Sequence, residues 1–305
     1  MTDFGTTSSD PTDIGETSKP PFARLPDPRG LFARRAARFR TLAQGAELGP
    51  YLEFLGRLCD VQHAVQEGLA EAPAPSPELA ARARAHAMPP VDRSAAARDE
   101  SFMEIFDRLV ARAREIDMPE AARAALGRVA GADRDGRFAM AEAVVANRIP
   151  VEATAEHVFA AAAVQVHFAR LAASLDAAAL VPVGEGACPA CGGPPVSSMV
   201  VGWVGAHGTR FCACSTCQTL WNHVRVRCCL CGETKGISYR EIEGGDGIVK
   251  AEVCDTCAAQ VKIMKQHEDP DVDPIADDVA TLALDLLVRD EGIRRGGVDP
   301  FLIGY

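Results

Sequence analysis

The chain has no long uninterrupted apolar run. The richest candidate, Val158 to Leu180, is broken by Gln165, His167, Arg170 and Asp176. It reads as a buried helix, because a membrane span needs about 20 consecutive apolar residues. Positive charge is also in short supply: 32 Lys and Arg against 42 Asp and Glu give a formal net charge of −10. Binding to phosphate backbones is largely electrostatic, so nucleic acid is not expected as a partner. Between Glu185 and Asp269 there are eight basic and nine acidic residues, which leaves no basic stripe. Arg225 and Arg227 form a small patch that reads as a solvated strand edge. The opening stretch, MTDFGTTSSDPTDIGETSKPP, has neither a basic n-region nor an apolar h-region. No secretory signal is expected from it, and the cytoplasm is the default location. A catalytic constellation is missing too. No Gly-rich phosphate loop follows a strand and no Ser/His/Asp grouping stands out, so the reading is of a protein that is not an enzyme.

What the chain does have is cysteine, 11 in all, ten of them at 188–231 or at 254 and 257. Without a secretory signal, clustered Cys-x-x-Cys pairs point to metal rather than to disulfides. The pairs are Cys188/Cys191, Cys214/Cys217, Cys228/Cys231 and Cys254/Cys257. Cys191 to Cys214 spans 23 positions, as does Cys231 to Cys254, and the second C-x2-C-x22-C-x2-C unit repeats the first at an offset of 40. Gly192 matches Gly232 and Thr216 matches Thr256. A repeat this regular indicates two copies of one supersecondary unit. The stretch CSTCQTLWNHVRVRCCLC is therefore a junction. Cys214 and Cys217 close one site, Cys228 and Cys231 open the next, and the residues between them read as a linking strand.

The spacing has a physical reason. Two cysteines three apart on a tight turn can place both thiolates on one ion, and a glycine after the second supplies the turn conformation. Backbone amides of the turn can donate to the sulfurs. Two such knuckles brought together by a hairpin make a tetrahedron of sulfur, as in zinc ribbons and rubredoxins. Four thiolates suit zinc or a single iron, and spacing does not separate them. A thioredoxin-like dithiol would need a strand–helix context, whereas these pairs sit at hairpin ends. Cys212 aligns with Glu252 and Cys229 with Pro189, so neither holds a repeated position, although Cys229 beside Cys228 is placed to compete for metal. Cys59 reads as a small buried residue.

The flanking sequence indicates an α+β protein. Residues 1–24, rich in Ser, Thr, Pro, Gly and Asp, read as a disordered tail. Residues 25–182 read as a helical domain of about six helices, from apolar periodicity and alanine content. Ser76-Pro77-Glu78 looks like a helix start, and AMPPVD looks like a break. His63, His157 and His167 fall on helices, where a packing or surface role is expected. Residues 183–227 and 228–270 read as the two four-cysteine units. Each has a hairpin between its pairs, the first turning at Ala206-His207-Gly208 and the second at Gly244 to Gly247. Trp203 and Trp221 are expected to pack against the units, and His207 and His223 to lie at the surface. Residues 271–305 read as a helix and tail docking back on the protein. Asp273 is its N-cap, Pro274 its first residue, and Ile275, Val279, Leu282 and Leu286 its apolar stripe, with Asp277 and Asp278 complementing the helix dipole.

CPACGGPPVSSM, RFCACSTCQTLWNHVRVRCCLC, VKAEVCDTC and DPDVDPIADDVATLALDLL resemble the formate dehydrogenase accessory proteins of the FdhE type. LFARRAARFRTLA, PYLEFLGRL and DPFL look like that family as well. The strong resemblance covers 188–303 and a weaker one covers 22–66. It implies a cytoplasmic accessory protein that binds the molybdenum-containing catalytic subunit of formate dehydrogenase before export. It also implies iron in two rubredoxin-like sites, with zinc as the alternative metal. All eight pair cysteines (Cys188, Cys191, Cys214, Cys217, Cys228, Cys231, Cys254 and Cys257) match the family's ligand positions. A second copy of the chain is a further candidate partner, and no membrane insertion is implied. The alternatives are an electron-transfer protein of the rubredoxin kind and a zinc-ribbon nucleic-acid module.

Overall fold

In the computed structural model of the chain, residues 20–302 are described, so residues 1–19 of the expected tail lie outside the described residues. The last residues of that tail segment are structured: Ala23–Arg24 form strand β1. Eight α-helices then follow among the described residues before the cysteines, more than the about six that periodicity indicates. They are α1 (Pro28–Ala43), α2 (Gly49–Glu67), α3 (Pro77–Ala85), α4 (Arg93–Ala97), α5 (Glu100–Ala113), α6 (Glu120–Gly131), α7 (Arg134–Val145) and α8 (Thr154–Ala173). α3 starts where its sequence says, with Ser76 Oγ accepting from Leu79 N at 3.3 Å. α4 is too short to show a period and follows the expected break. Its mark is Asp92, whose carboxylate accepts from Ser94 N and Ala95 N, an N-cap.

α8 is the axle of the domain. It is buried almost all round, from His157 through Ala169, as a helix apolar on every side must be. It packs against α2, α5, α6 and α7. Within it His167 is fully buried, with Nε2 3.1 Å from the Ala96 carbonyl and its ring edge-on to Phe102 and Phe168. Burial, aided by Arg170 and opposed by Asp99, brings its pKa down to about 4. The unfolded value is about 6.5, so as pH falls below that point the unfolded chain takes up a proton that the folded chain refuses. The contribution of His167 to stability is therefore complete above about pH 6.5 and drains away toward pH 4, by about 2 kcal/mol between pH 6.5 and 5. A His167→Gln chain of equal metal content lacks this loss. Urea unfolding of both chains from pH 7.5 to 5 checks it, and a wild-type-minus-variant difference that stays flat across that range refutes it.

The strand-rich half forms one eight-stranded sheet. The first unit supplies β2 (Pro195–Val200), β3 (Arg210–Cys214) and β4 (Leu220–His223); the second supplies β5 (Ile237–Arg240), β6 (Val249–Cys254) and β7 (Ala259–Met264). Shifted by 40 positions, the first three strands fall on the second three, so the repeat covers three strands rather than a hairpin alone. Both expected hairpins form, β2–β3 and β5–β6. The linking strand is shorter than expected, because only residues 220–223 of the junction are strand and a turn takes up 225–227. The strand order is β1-β4-β3-β2-β7-β6-β5. The units thus sit side by side in the same orientation, joined by a parallel pairing of β2 with β7.

The C-terminal segment docks back, but as two helices, α9 (Ala276–Ala280) and α10 (Leu282–Asp290). Asp273 accepts from Ile275 N and Ala276 N as a cap does, but the helix begins at Ala276 after Ile275 rather than at Pro274, which lies in the turn ahead of it. Asp277 and Asp278 do more than complement a dipole. Asp277 takes both arms of Arg38 from α1 at 2.9 and 2.6 Å. Asp278, fully buried, faces Lys262 of β7 and Arg295. After the break Leu284 and Val288 pack on Ala251 and Val253, while Leu286 stays half-buried. A last strand, β8 (Arg294–Arg295), pairs with β7, and the chain then straps the parts together. Gly296 N donates to Gln260 O in the second unit, Val298 N to Pro195 O in the first, and Tyr51 Oη of α2 to Phe301 O. Gly297 is needed for this path, since a Cβ there would lie 2.1 Å from the Val196 carbonyl oxygen.

Candidate metal centres

Four knuckles carry the cysteines, and the first three are closed by the same backbone device. In the first, Cys188 N donates to Gly193 O at 2.8 Å and Gly192 N to Cys188 O at 2.7 Å; the third repeats this with Cys228, Glu233 and Gly232. The residue after the second cysteine is left-handed in all four: Gly192, Gln218, Gly232 and Ala258. The sequence marks only the two glycines. Gln218 accepts the strain and uses its side chain, accepting from Arg35 Nη2 at 2.8 Å and donating to Ser215 O at 2.7 Å.

The eight cysteines assemble into the two sets the spacing predicts. Cys188, Cys191, Cys214 and Cys217 form one, and Cys228, Cys231, Cys254 and Cys257 the other, with the sulfurs of each set all within 4.8 Å of one another. Metal–sulfur bonds of about 2.3 Å in a tetrahedron require sulfurs about 3.8 Å apart. Cys188–Cys217 and Cys191–Cys214 are 3.5 and 3.6 Å apart, and Cys228–Cys257 and Cys231–Cys254 are 3.9 and 3.7 Å. Each set could therefore hold one ion, and four thiolates suit zinc or iron. Amides of Cys231 and Leu230 donate to Cys228, and those of Cys257 and Thr256 to Cys254, which offsets thiolate charge as expected.

The sets differ in their surroundings. All four sulfurs of the first belong to residues at most 1% exposed, in the same core as Phe32, Leu52, Phe159 and Phe168. Burial opposes ionisation of Cys214 most, yet hydrogen bonds from Cys188, Cys191 and Cys217 and the Arg93 charge hold its thiol well below the usual range. Burial drives Cys188 well above it. In the second set Cys231 is exposed and Cys257 half-exposed. The helical domain touches the first set directly. Gln165 of α8 donates to Ser215 O at 3.0 Å, and Gln62 of α2 donates to Gln165. Arg93 of α4 reaches Cys191 Sγ at 3.4 Å and Thr216 Oγ1 at 3.3 Å. Sequence reasoning missed Arg93, because nothing local distinguishes it from the other arginines of the helical domain.

The remaining candidates fall outside the sets. Cys212 and Cys229 are both buried. The Cys229 thiol hydrogen-bonds Cys212, and that bond with burial pushes it well above its usual value. It is turned toward β3 instead of competing for an ion. Cys59 is buried on α2 as expected. His207 rests against His267, and His223 bonds the Arg227 carbonyl. Trp203 packs on Phe211 under the Arg24 guanidinium, and Trp221 is buried in β4. Arg227 pairs with Glu185. No helix among the described residues is long and apolar enough to cross a membrane.

Fold and site define an α+β protein in which a helical domain grips a duplicated four-cysteine unit of the rubredoxin and zinc-ribbon kind. The descriptions "FdhE, N-terminal", "FdhE, central domain" and "FdhE, C-terminal domain" match residues 20–185, 187–225 and 226–302. A protein named as an FdhE homolog from Rhizobium meliloti is 48% identical over 301 residues, covering 97% of each chain. One from Cronobacter sakazakii is 34% identical over 287 residues, covering 92% of this chain and 90% of its own. The crystal structure of the FdhE protein from Pseudomonas aeruginosa superposes with a TM-score of 0.83 at 32% identity, covering 93% of this chain and 99% of that one. The chain belongs to the FdhE family.

Proposed function

We propose that this chain is a maturation factor for formate dehydrogenase, which binds the molybdenum-containing catalytic subunit in the cytoplasm before export. Membership of the FdhE family over nearly the whole chain carries this reading. The site chemistry supports a role other than catalysis: four cysteines fill a tetrahedral ion, while catalytic metal sites keep a position open for water or substrate. The helical domain supplies the client-docking surface, and the metal units hold that surface in place through the strap and the α8 contacts. Deleting the gene in its native host is expected to abolish formate oxidation by the respiratory enzyme, with activity restored by a plasmid copy. Formate oxidation at the parental level in the deletion strain would sink the proposal.

Exposure of Cys231 favours a second reading, in which iron in the second site passes single electrons to the client. It predicts visible absorbance that bleaches reversibly on reduction. A colourless chain that carries only zinc when isolated from its native host removes it.

A further inference from the structure

From the unequal surroundings of the two four-cysteine sets we infer that they hold metal in different ways: the first is a locked joint kept by Arg93, and the second is the exchangeable site. The inference rests on the reading that each set holds one ion.

A divalent ion with four thiolates carries a net charge of −2, which costs free energy wherever water is excluded. At the first set the exposures are 1% or less, so the compensation must come from the protein. Arg93 supplies it. Its Nη1 lies 3.4 Å from Cys191 Sγ, and its charge also acts on Cys214 and Cys217. The guanidinium is held in place by the Val145 carbonyl at the end of α7 and by Thr216. Access depends on Gly193, where a Cβ would lie 2.2 Å from Arg93 Nη1 and 3.4 Å from Cys214 Sγ.

The repeat supplies its own control. Forty positions on, Gly193 becomes Glu233, whose carboxylate turns to its own backbone at Thr234 N and Lys235 N. Among the described residues, no arginine or lysine side chain hydrogen-bonds a sulfur of the second set; water reaches Cys231 and Cys257 instead. An incoming chelator can therefore bond the ion from that side. An ion held there would leave as the chelator's donors replaced the sulfurs one by one, the exposed Cys231 and Cys257 first and Cys228 and Cys254 after them, with all four metal–sulfur bonds broken and each released thiolate taking a proton from the solvent. At the first set the same attack requires parting the core and the Arg93 contact. Arg93 is thus a positioning residue for an ion that it does not ligate.

The test loads the full chain with zinc and follows transfer to excess 4-(2-pyridylazo)resorcinol by absorbance. Two equivalents are expected, in a fast and a slow phase of one each. Cys231→Ser removes or further speeds the fast phase and leaves the slow one. Arg93→Met accelerates the slow phase by about 10- to 100-fold, the usual cost of losing an outer-shell partner, and leaves the fast one. Where Arg93→Met does not fold by circular dichroism, Arg93→Lys is read instead; it keeps the charge but not the fork, and its slow phase is also expected to quicken. One common phase for both equivalents, or a slow phase unmoved in the folded Arg93 variant, overturns the inference. Fewer than two equivalents of zinc overturns the underlying reading of two ion sites.

Discussion

Replacing Cys214 by Ser in the full chain is expected to unfold the strand-rich half. Structural tetrathiolate sites contribute on the order of 10 kcal/mol of apparent binding free energy, and in small metal domains that is folding free energy. A whole domain is stable by only about 5–15 kcal/mol. The first set also sits in the core shared with α1, α2 and α8, so its loss removes apolar contacts from the helical domain. Far-UV circular dichroism should lose its strand component, and trypsin should cut at Arg225, Arg227 and Lys235. Exhaustive chelation of the wild-type chain should reproduce both changes. Cys231→Ser, at the exposed set, should do less to the helical domain. A Cys214→Ser chain with unaltered dichroism and trypsin resistance would mean that the sulfurs are not what holds this half together.

Arg210→Met is the second large effect, expected to cost about 3–5 kcal/mol. Arg210 lies on β3 of the first unit and Glu252 on β6 of the second, with β2 and β7 between them. Their side chains are 0% and 3% exposed and meet in a two-armed pair at 2.8 Å on each arm. Ser198 Oγ accepts from Nε, the carbonyls of Arg225 and Arg227 accept from Nη1, and Tyr239 donates to Glu252. Removing the cation alone leaves a buried carboxylate without its partner. Removing both charges costs much less, because the pair also gave up its hydration on folding. The double variant Arg210→Met with Glu252→Met should therefore be more stable than Arg210→Met by itself. Urea unfolding of the four chains at fixed metal content measures the cycle. A double variant that loses the sum of the two single losses would show that the residues act independently. The pair also ties the units in register: 40 positions after Arg210 stands Lys250 and 40 before Glu252 stands Cys212, so the contact has no counterpart within either unit.

Much of the site was legible because its signals are local. A tetrahedral ion constrains residues three apart on one turn, and duplication writes that constraint twice. The eight cysteines could therefore be sorted into two sets without coordinates. Hairpin turns at His207 and at Gly244 to Gly247 were readable for the same reason, as were the caps at Ser76 and Asp273. Signals that need length or company were not. α4 is a helix of five residues, and nothing local in the sequence marks the break at Thr281 between α9 and α10. Asp277 and Asp278 look like dipole partners in the sequence because their true partners, Arg38, Lys262 and Arg295, lie elsewhere in the chain.

The sequence by itself determined which cysteines come together in one set, that the four-cysteine unit occurs twice, and that helices precede it. Only the tertiary structure decided how the two units join through β2 and β7, which set is buried and which faces water, and that from the helical side Arg93 and Arg35 reach the knuckles of the first set while Arg38 reaches α9. The reason is range. Turn geometry and hairpin pairing act between near neighbours and leave a pattern of spacing. A guanidinium that meets a sulfur 98 positions away, or a carboxylate 239 positions away, is chosen by the packed fold, and no period in the sequence records it.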